Sequence, residues 1–496
     1  MQLLKKEKAF YCVLIALLVF TGIFLRTLFY FYDRPFWLDE ASIAINVLDK
    51  NYLDFFMPLE RLQVAPPFSL ILAKAFLGII PDYEMAFRLL PFIAGILSVP
   101  VFFLLATRIF KRKIAVVAAL FMFIVNYRLC YYAQEFKSYG LDIFFEYAIL
   151  LSYFKIGFKE SSVRKLFLIS CVYALCPWFS HASCFAVTVV FLAVLFKSGI
   201  ISERKIHWDI LRRYLALTIP FTLSFIGLFL LQYLFNSNTE GFYGWWERRG
   251  FFNKDFSNAT SLFHNNFIFF FTFSPIGVKT AYLLLIIGGL SCLKNFSKFF
   301  FILMPILLAL LLSYLHLFPF GDRVVVYTIP AFILMLCAPL DIVCHKKLIG
   351  IPFTVFCFGL VFLSSTAETL NTYRSLILKE FYFEDTPSGL LKAKKLMKPE
   401  DVLFINSYHS PFVFYSRTMN LEFPEVFRYT KRNRIHERDY HKNLDEKLKK
   451  GTRYFYLIDR PKRNKWRAVD SYVSKNPTLR KIQDKHGNGL YIWVQQ

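Results

Sequence analysis

Residues 10–40 of the chain read FYCVLIALLVFTGIFLRTLFYFYDRPFWLDE, an apolar run followed by two adjacent acids. The run Phe10–Phe31 is long enough to cross a bilayer, which takes roughly 20 apolar residues. Asp39 and Glu40 come a few residues after its end. Because ionisable groups close to the bilayer core are costly, an acidic pair at this place is typical of a functional site. The alternative is a pair that only marks the boundary between membrane and solvent.

The composition indicates a polytopic α-helical membrane protein. The 496 residues are 56% hydrophobic and 19% aromatic, with a formal net charge of +24. A charge of this size also occurs in nucleic-acid-binding proteins. In this chain much of the excess lies in short basic clusters between apolar runs, as expected when Lys and Arg gather in cytoplasmic loops. The prediction is therefore a membrane protein with no nucleic-acid partner.

The basic clusters also orient the chain. Lys5, Lys6 and Lys8 precede the first apolar run, which lacks a small-residue cleavage site and so predicts a retained signal-anchor with a cytoplasmic N-terminus. The later strong clusters all fall on the cytoplasmic side if the chain has about eleven transmembrane helices. The predicted spans are Phe10–Phe31, Phe87–Arg108, Ile114–Val125, Tyr139–Phe154, two within Leu166–Phe196, Tyr214–Phe235, Val278–Leu293, Phe299–Leu315, Val324–Val343 and Ile351–Thr366.

Two apolar segments do not have the length of a single span. Leu166–Phe196 is too long for one helix, and Pro177 predicts a break between two short or kinked helices. Pro66–Ile80 is too short, and its Pro66-Pro67 pair predicts the start of a helix that lies along the outer membrane surface. A short transmembrane helix at this place would invert all later spans, and the basic clusters disfavour it.

The composition changes near residue 368, where the chain becomes charged and free of cysteine. Short alternating apolar segments, DVLFIN, RYFYLID and GLYIWV, predict strands, and LLKAKKLM and NLDEKLKK are compatible with helices. We therefore predict two domains. Residues 1–367 form a transmembrane domain with a long first outer loop at residues 33–86. Residues 368–496 form a small soluble α/β domain on the outer side of the membrane.

This topology gathers polar groups at the outer face. A convergence of acids, one histidine and several cations on one membrane face is typical of a functional site. Each residue also has a purely structural interpretation. Arg88 is compatible with a side chain that reaches toward lipid headgroups, and His181 with a packing residue. The outer-face residues are Asp39, Glu40, Gln63, Glu84, Arg88, Tyr131, Tyr132, Gln134, Glu135, Lys137, Tyr139, His181, Asp322 and Arg323.

The order of these motifs resembles the GT-C glycosyltransferases. The elements are FWLDEA after the first span, QVAPP, EMAFRL at the second span, YYAQEFKSYG after the third and a weaker echo at GDRVVVYTIP. The resemblance covers roughly residues 10–200. It is closest to the group that uses polyprenyl-phosphate sugars, such as the dolichyl-phosphate-mannose protein mannosyltransferases and the bacterial aminoarabinose transferases. Some relatives carry a lysine directly before the proline pair, where this chain has Gln63, Val64 and Ala65.

The resemblance implies an inverting hexosyl- or pentosyltransferase. Such an enzyme moves a sugar from a polyprenyl-phosphate carrier to a hydroxyl of an envelope lipid, polysaccharide or protein at the outer face. The implied base is Asp39, with Glu40 as the neighbour that orients or tunes it. The residues implied in binding the donor phosphate and sugar are Gln63, Arg88, Glu135, Lys137, Tyr139 and Arg323.

No cofactor and no metal are predicted, because a lipid-phosphate leaving group does not strictly require one. If a divalent metal is used, His181 beside Glu135 is the candidate site. The predicted location is the inner or plasma membrane, and the predicted partners are the lipid-linked sugar, the acceptor and membrane lipids. A transporter or flippase, a polymerase or ligase for lipid-linked glycans, and a non-catalytic receptor on the same fold remain alternatives. A transporter should carry ionisable residues near the middle of the membrane.

Overall fold

The computed structural model describes most of the chain. The described residues are 2–32, 34–199, 201–202, 205–234, 244, 246–247, 249–271, 275–343, 359, 370–371, 373–374, 385–406, 409–428, 453–459, 479–485 and 488–494. The chain divides into two compact units. The first comprises Met1–Tyr32 and Lys50–Tyr373, and the second comprises Asp33–Asp49 and Arg374–Gln496.

In the described residues of the first unit the regular structure is helical, apart from a hairpin of two short strands, β1 (Ile201–Ser202) and β2 (Lys205–Ile206). Short connections join most of its helices. The helices are α1 (Gln2–Tyr30), α3 (Pro67–Leu77), α4 (Tyr83–Ile109), α5 (Lys113–Val125), α6 (Tyr127–Tyr132), α7 (Tyr139–Ile156), α8 (Val163–Leu175), α9 (Ser183–Ser198), α10 (Trp208–Phe229), α11 (Ala259–Phe271), α12 (Pro275–Leu293), α13 (Phe296–Lys298), α14 (Met304–Tyr314) and α15 (Ile329–Val343).

Five helical segments of the described residues are long and apolar enough to cross a membrane, which supports the predicted multi-pass helical fold. These segments are Lys6–Tyr30, Tyr83–Ile109, Trp208–Gln232, Phe296–Tyr314 and Asp322–Ile342. Shorter apolar helices lie at Lys113–Val125, Ser183–Ser198 and Gly277–Leu293. The total of eleven spans stays a prediction, because Ile351–Thr366 lies, except for residue 359, outside the described residues.

The proline positions explain three helix boundaries. Pro67 is the first residue of α3, where its missing N–H costs nothing. Pro177 lies in the 3-10 turn Cys176–Trp178 between α8 and α9, so the predicted break in Leu166–Phe196 is present. The predicted helix at Val324 instead begins as a 3-10 segment, Asp322–Thr328, and becomes α-helical only at Ile329. Pro330 favours this late start, because its ring is tolerated only in the first turn.

The second unit contains a five-stranded mixed sheet. Its strand order is β4-β3-β5-β7-β6, with β3 parallel to β4 and β5, and β7 antiparallel to β5 and β6. The three predicted strands correspond to β3, β5 and β7, whereas NLDEKLKK lies outside the described residues. The strands are β3 (Val402–Asn406), β4 (Glu425–Arg428), β5 (Arg453–Asp459), β6 (Leu479–Lys485) and β7 (Asn488–Val494).

Among its described residues, the second unit has the helices α2 (Leu38–Asp49), α16 (Thr386–Leu396) and α17 (His409–Thr418). The helix α2 comes from the predicted outer loop at residues 33–86, yet its residues group with the C-terminal part of the chain. The spacing of the sequence motifs gave no sign of this grouping. The acids of FWLDE therefore sit on a helix that packs within the second unit.

Candidate active site

The two acids of FWLDE lie in the first turn of α2, and they have different environments. Glu40 is fully buried, and both of its carboxylate oxygens face the Arg34 guanidinium, at 3.3 and 3.4 Å. Arg34 is buried as well. Asp39 is only partly buried. The first turn of a helix favours negative charge, because its backbone N–H groups point toward the N-terminus.

This difference separates the roles of the pair. A two-point contact with arginine fixes the orientation of a carboxylate and stabilises its charge. Arg34, six residues earlier in the sequence, therefore holds the Glu40 carboxylate in place, and this pair anchors the start of α2. Asp39 is the more exposed member of the pair. The predicted roles, with Asp39 as the base and Glu40 as its neighbour, stay predictions.

In the first unit, the loop between α6 and α7 meets the segment before α3. The Nζ of Lys137 donates a hydrogen bond to Oε1 of Gln63 at 2.6 Å. Both residues were predicted to bind the donor, and they are 74 positions apart in the sequence. The chain lacks a lysine directly before its proline pair, and a lysine from the later loop lies beside that element instead.

Helix α4 supports this loop by close packing. The rings of Phe87 and Phe136 stack with their centroids 4.6 Å apart. A Cβ on Gly95 would lie 2.4 Å from the Cβ of Ala133, so only glycine permits this approach. Arg88, next to Phe87, is buried. The contacts bring the helix that carries Arg88 against the loop that carries Glu135 and Lys137.

Tyrosines line the same loop. Tyr132 and Tyr139 meet edge to face, with centroids 5.2 Å apart. Burial raises the pKa of Tyr132, Glu135 adds to this effect, and Arg128 and Arg323 oppose it. Glu135 and Arg323 therefore both act on the Tyr132 hydroxyl through space, although they are far apart in sequence.

Two asparagines connect α11 to the segments that surround this loop. Asn126 accepts from the N–H of Leu129 at 3.1 Å and donates to the carbonyl of Phe270 at 2.9 Å. Asn266 donates to the carbonyl of Phe320 at 2.9 Å and accepts from the N–H of Asp322 at 2.6 Å. Since Asp322 directly precedes Arg323, these bonds fix the backbone beside Arg323, one of the cations predicted to bind the donor.

His181 lies in the turn between the Cys176–Trp178 segment and α9. Burial lowers the pKa of His181 to about 4, and a hydrogen bond with Gln232 partly opposes the shift. The imidazole is therefore neutral at pH 7. Among the residues that the structure describes, no three His, Cys, Asp or Glu side chains gather in a way that could hold a metal ion.

The neutral His181 predicts a loss of stability in acid. The unfolded chain protonates this histidine near pH 6.5, whereas the folded chain resists protonation down to about pH 4. The contribution of His181 to the free energy of unfolding should therefore be fully present above pH 6.5. It should fall as the pH is lowered from 6.5 toward 4, by on the order of 1–2 kcal/mol at pH 5. Thermal unfolding in detergent, measured from pH 8 to pH 5, checks this. His181→Gln should flatten the dependence, and an unchanged slope in that variant would contradict it.

Sequence reasoning missed two buried acids on α7. Asp142 accepts hydrogen bonds from Ser180 at 2.6 Å and from Ser138 at 2.9 Å, and Glu146 lies fully buried one turn further along. The signal was present, because acids four residues apart share one helix face. The prediction takes Tyr139–Phe154 as one apolar span and assigns no role to the two acids within it.

The structure thus brings together part of the predicted set. Gln63 and Lys137 are hydrogen bonded, and Glu135 and Arg323 share the neighbourhood of Tyr132, which also contacts Tyr139. Arg88 lies on the helix that supports the loop. Asp39 and Glu40 belong to the second unit.

No protein-family model and no curated protein sequence match the chain. Several solved structures are similar to it. The apo form of ArnT from Cupriavidus metallidurans is 11% identical over 98% of both chains, with a TM-score of 0.49. The same protein bound to undecaprenyl phosphate has a TM-score of 0.47. Archaeal oligosaccharyltransferase AglB from Archaeoglobus fulgidus, in complex with an inhibitory peptide and a dolichol-phosphate, is 11% identical over 95% of this chain and 72% of that chain, with a TM-score of 0.48.

Proposed function

We propose that the protein is a membrane glycosyltransferase that moves a sugar from a polyprenyl-phosphate carrier to a hydroxyl group of its acceptor at the outer face of the membrane. One observation carries the proposal. In the first turn of α2, Glu40 is fully buried against Arg34, and the adjacent Asp39 is partly exposed. A site with one anchored carboxylate and one accessible carboxylate is suited to general-base chemistry.

In the proposed reaction, the acceptor oxygen attacks the anomeric carbon of the sugar while Asp39 takes the proton of the hydroxyl. The bond between that carbon and the phosphate oxygen breaks, and its electron pair leaves with the lipid phosphate. A single displacement of this kind inverts the anomeric configuration. The transferred group is a hexose or a pentose.

The leaving phosphate needs positive charge nearby, because its charge grows as the bond breaks. Lys137, Arg88 and Arg323 are the proposed cations. Support comes from Lys137, whose ammonium group already bonds to Gln63 beside the proline pair. Glu135 and Tyr139 are the proposed sugar contacts. No metal and no cofactor enter the proposed reaction.

The proposed orientation places the N-terminus in the cytoplasm and the C-terminal domain outside. It rests on the distribution of Lys and Arg between the apolar runs. The acceptor is a lipid, a glycan or a protein of the cell envelope, and the protein resides in the inner or plasma membrane.

A transfer assay in proteoliposomes tests the proposal. Purified protein is incubated with a panel of radiolabelled polyprenyl-phosphate sugars and crude envelope as acceptor, with protein-free liposomes as the control. Label that moves from the carrier to an envelope component supports glycosyl transfer. If folded protein moves no label from any donor, the proposal fails.

One observation favours a second candidate, a transporter of lipid-linked sugars. Asp142 and Glu146 are buried on an apolar helix, as ionisable groups along a transport pathway often are. This candidate predicts that labelled carrier crosses the bilayer of the proteoliposome without losing its sugar.

Replacing Lys137 should weaken the use of the donor. A charge-assisted hydrogen bond contributes about 1.5–3 kcal/mol, so Lys137→Met should lower kcat/KM for the donor about 10- to 100-fold. Steady-state transfer kinetics measure this, and Lys254→Met, at an exposed lysine of the same unit, is the control. Unchanged kinetics in Lys137→Met would leave Arg88 and Arg323 as the phosphate-binding residues.

A further inference from the structure

The segment that carries Asp39 is held by a helix from the far end of the chain. The hydroxyl of Tyr415, on α17, accepts a hydrogen bond from the backbone N–H of Phe36 at 2.6 Å. The hydroxyls of Ser42 and Ser410, the latter also on α17, are hydrogen bonded to each other at 2.8 Å. Both bonds are buried, and they link residues 379 and 368 positions apart.

These two bonds bracket the proposed base. Phe36 lies three residues before Asp39, and Ser42 lies three residues after it. The ring of Phe36 also contacts that of Phe414, with centroids 5.1 Å apart. Phe36 and Phe414 are completely buried, so the contact is part of the core of the second unit.

Tyr415 satisfies a donor that α2 cannot satisfy itself. Phe36 precedes the helix, so its N–H has no place in the hydrogen-bond pattern of α2. Burying such a donor without an acceptor is unfavourable. The Tyr415 hydroxyl therefore fixes the backbone just before the helix, while the Arg34–Glu40 pair fixes its first turn.

We infer that Tyr415 is a positioning residue for the Asp39 carboxylate, with Ser410 as a second, weaker support, so that the C-terminal domain is part of the catalytic apparatus. The inference rests on the proposed function, in which Asp39 is the base. A base acts only from a narrow range of positions, and a displacement of about 1 Å can cost on the order of 100-fold in rate. The C-terminal domain thereby affects kcat through the position of Asp39.

The test compares Tyr415→Phe with Ser416→Ala in the transfer assay. Tyr415→Phe keeps the ring and removes only the hydroxyl. Ser416→Ala removes a hydroxyl of the same helix that bonds to Val413 within α17. We expect Tyr415→Phe to lower kcat about 10-fold with an unchanged KM for the donor, and Ser416→Ala to behave as wild type.

A double variant separates positioning from general damage. If Tyr415 acts through Asp39, adding Tyr415→Phe to Asp39→Asn should not lower the residual rate further. An equal loss in both backgrounds, or a wild-type kcat in Tyr415→Phe, would overturn the inference. If wild-type protein transfers no label, the proposed function fails, and hydrogen exchange of residues 36–42 then decides. Faster exchange in Tyr415→Phe would show that Tyr415 holds this segment in place, without a catalytic role for it, and unchanged exchange overturns the inference.

Discussion

Asp39→Asn should abolish most transfer activity while leaving a folded, membrane-inserted protein. Asparagine has the shape of aspartate but cannot take the proton of the acceptor hydroxyl. General-base catalysis contributes about 10²- to 10⁴-fold, so we expect kcat to fall by at least about 100-fold. The fold should persist because the first turn of α2 is anchored by Glu40 and Arg34, which the substitution does not touch.

The measurement is initial-rate transfer with saturating donor, together with thermal unfolding of the same preparations. Asp209→Asn is the matched control, since Asp209 is also an acid in the first turn of a helix and is exposed. Equal rates for Asp39→Asn and wild type would remove Asp39 as the base. Because Arg34 occupies Glu40, the search for the base would then turn to Glu135.

The helices could be predicted from the sequence because hydropathy and basic clusters are local signals. The first span, the helix that begins at Pro67 and the break at Pro177 each depend on residues a few positions apart. The three strands of the C-terminal part followed from short alternating apolar segments for the same reason.

The contacts that build the candidate site could not be predicted in this way. The bond from Lys137 to Gln63 spans 74 positions, and that from Phe36 to Tyr415 spans 379. One sequence contains no signal that pairs such distant residues. The different burial of Asp39 and Glu40 was also invisible, since it depends on how the folded chain places Arg34 against Glu40.

Asp341, at the end of α15, accepts three hydrogen bonds through one carboxylate. Its Oδ2 accepts from the Nζ of Lys298 at 2.7 Å, and both side chains are buried. Its Oδ1 accepts from the backbone N–H groups of Lys111 and Arg112, each at 2.8 Å. The carboxylate therefore neutralises a buried ammonium group and satisfies two backbone donors at the turn between α4 and α5.

Asp341→Leu should therefore be severely destabilising. It leaves the Lys298 charge buried without its anion, and breaking a buried ion pair on one side costs about 3–5 kcal/mol. The two backbone donors lose their acceptor as well, at about 1–3 kcal/mol for each donor that stays buried. Since a domain is stable by only about 5–15 kcal/mol, we expect little folded protein and a large fall in Tm in detergent.

The double variant Lys298→Met/Asp341→Leu decides whether the unpaired charge is the cause. Replacing both members of a buried pair by apolar residues is often neutral, so the double variant should recover much of the stability that Asp341→Leu loses. Asp209→Leu provides the contrast, because the Asp209–Arg213 pair is exposed and should be worth no more than about 1 kcal/mol. If Asp341→Leu unfolds at the wild-type temperature, Lys298 has another partner. If the double variant is no more stable than Asp341→Leu, the two backbone donors, and not the ammonium group, account for the loss.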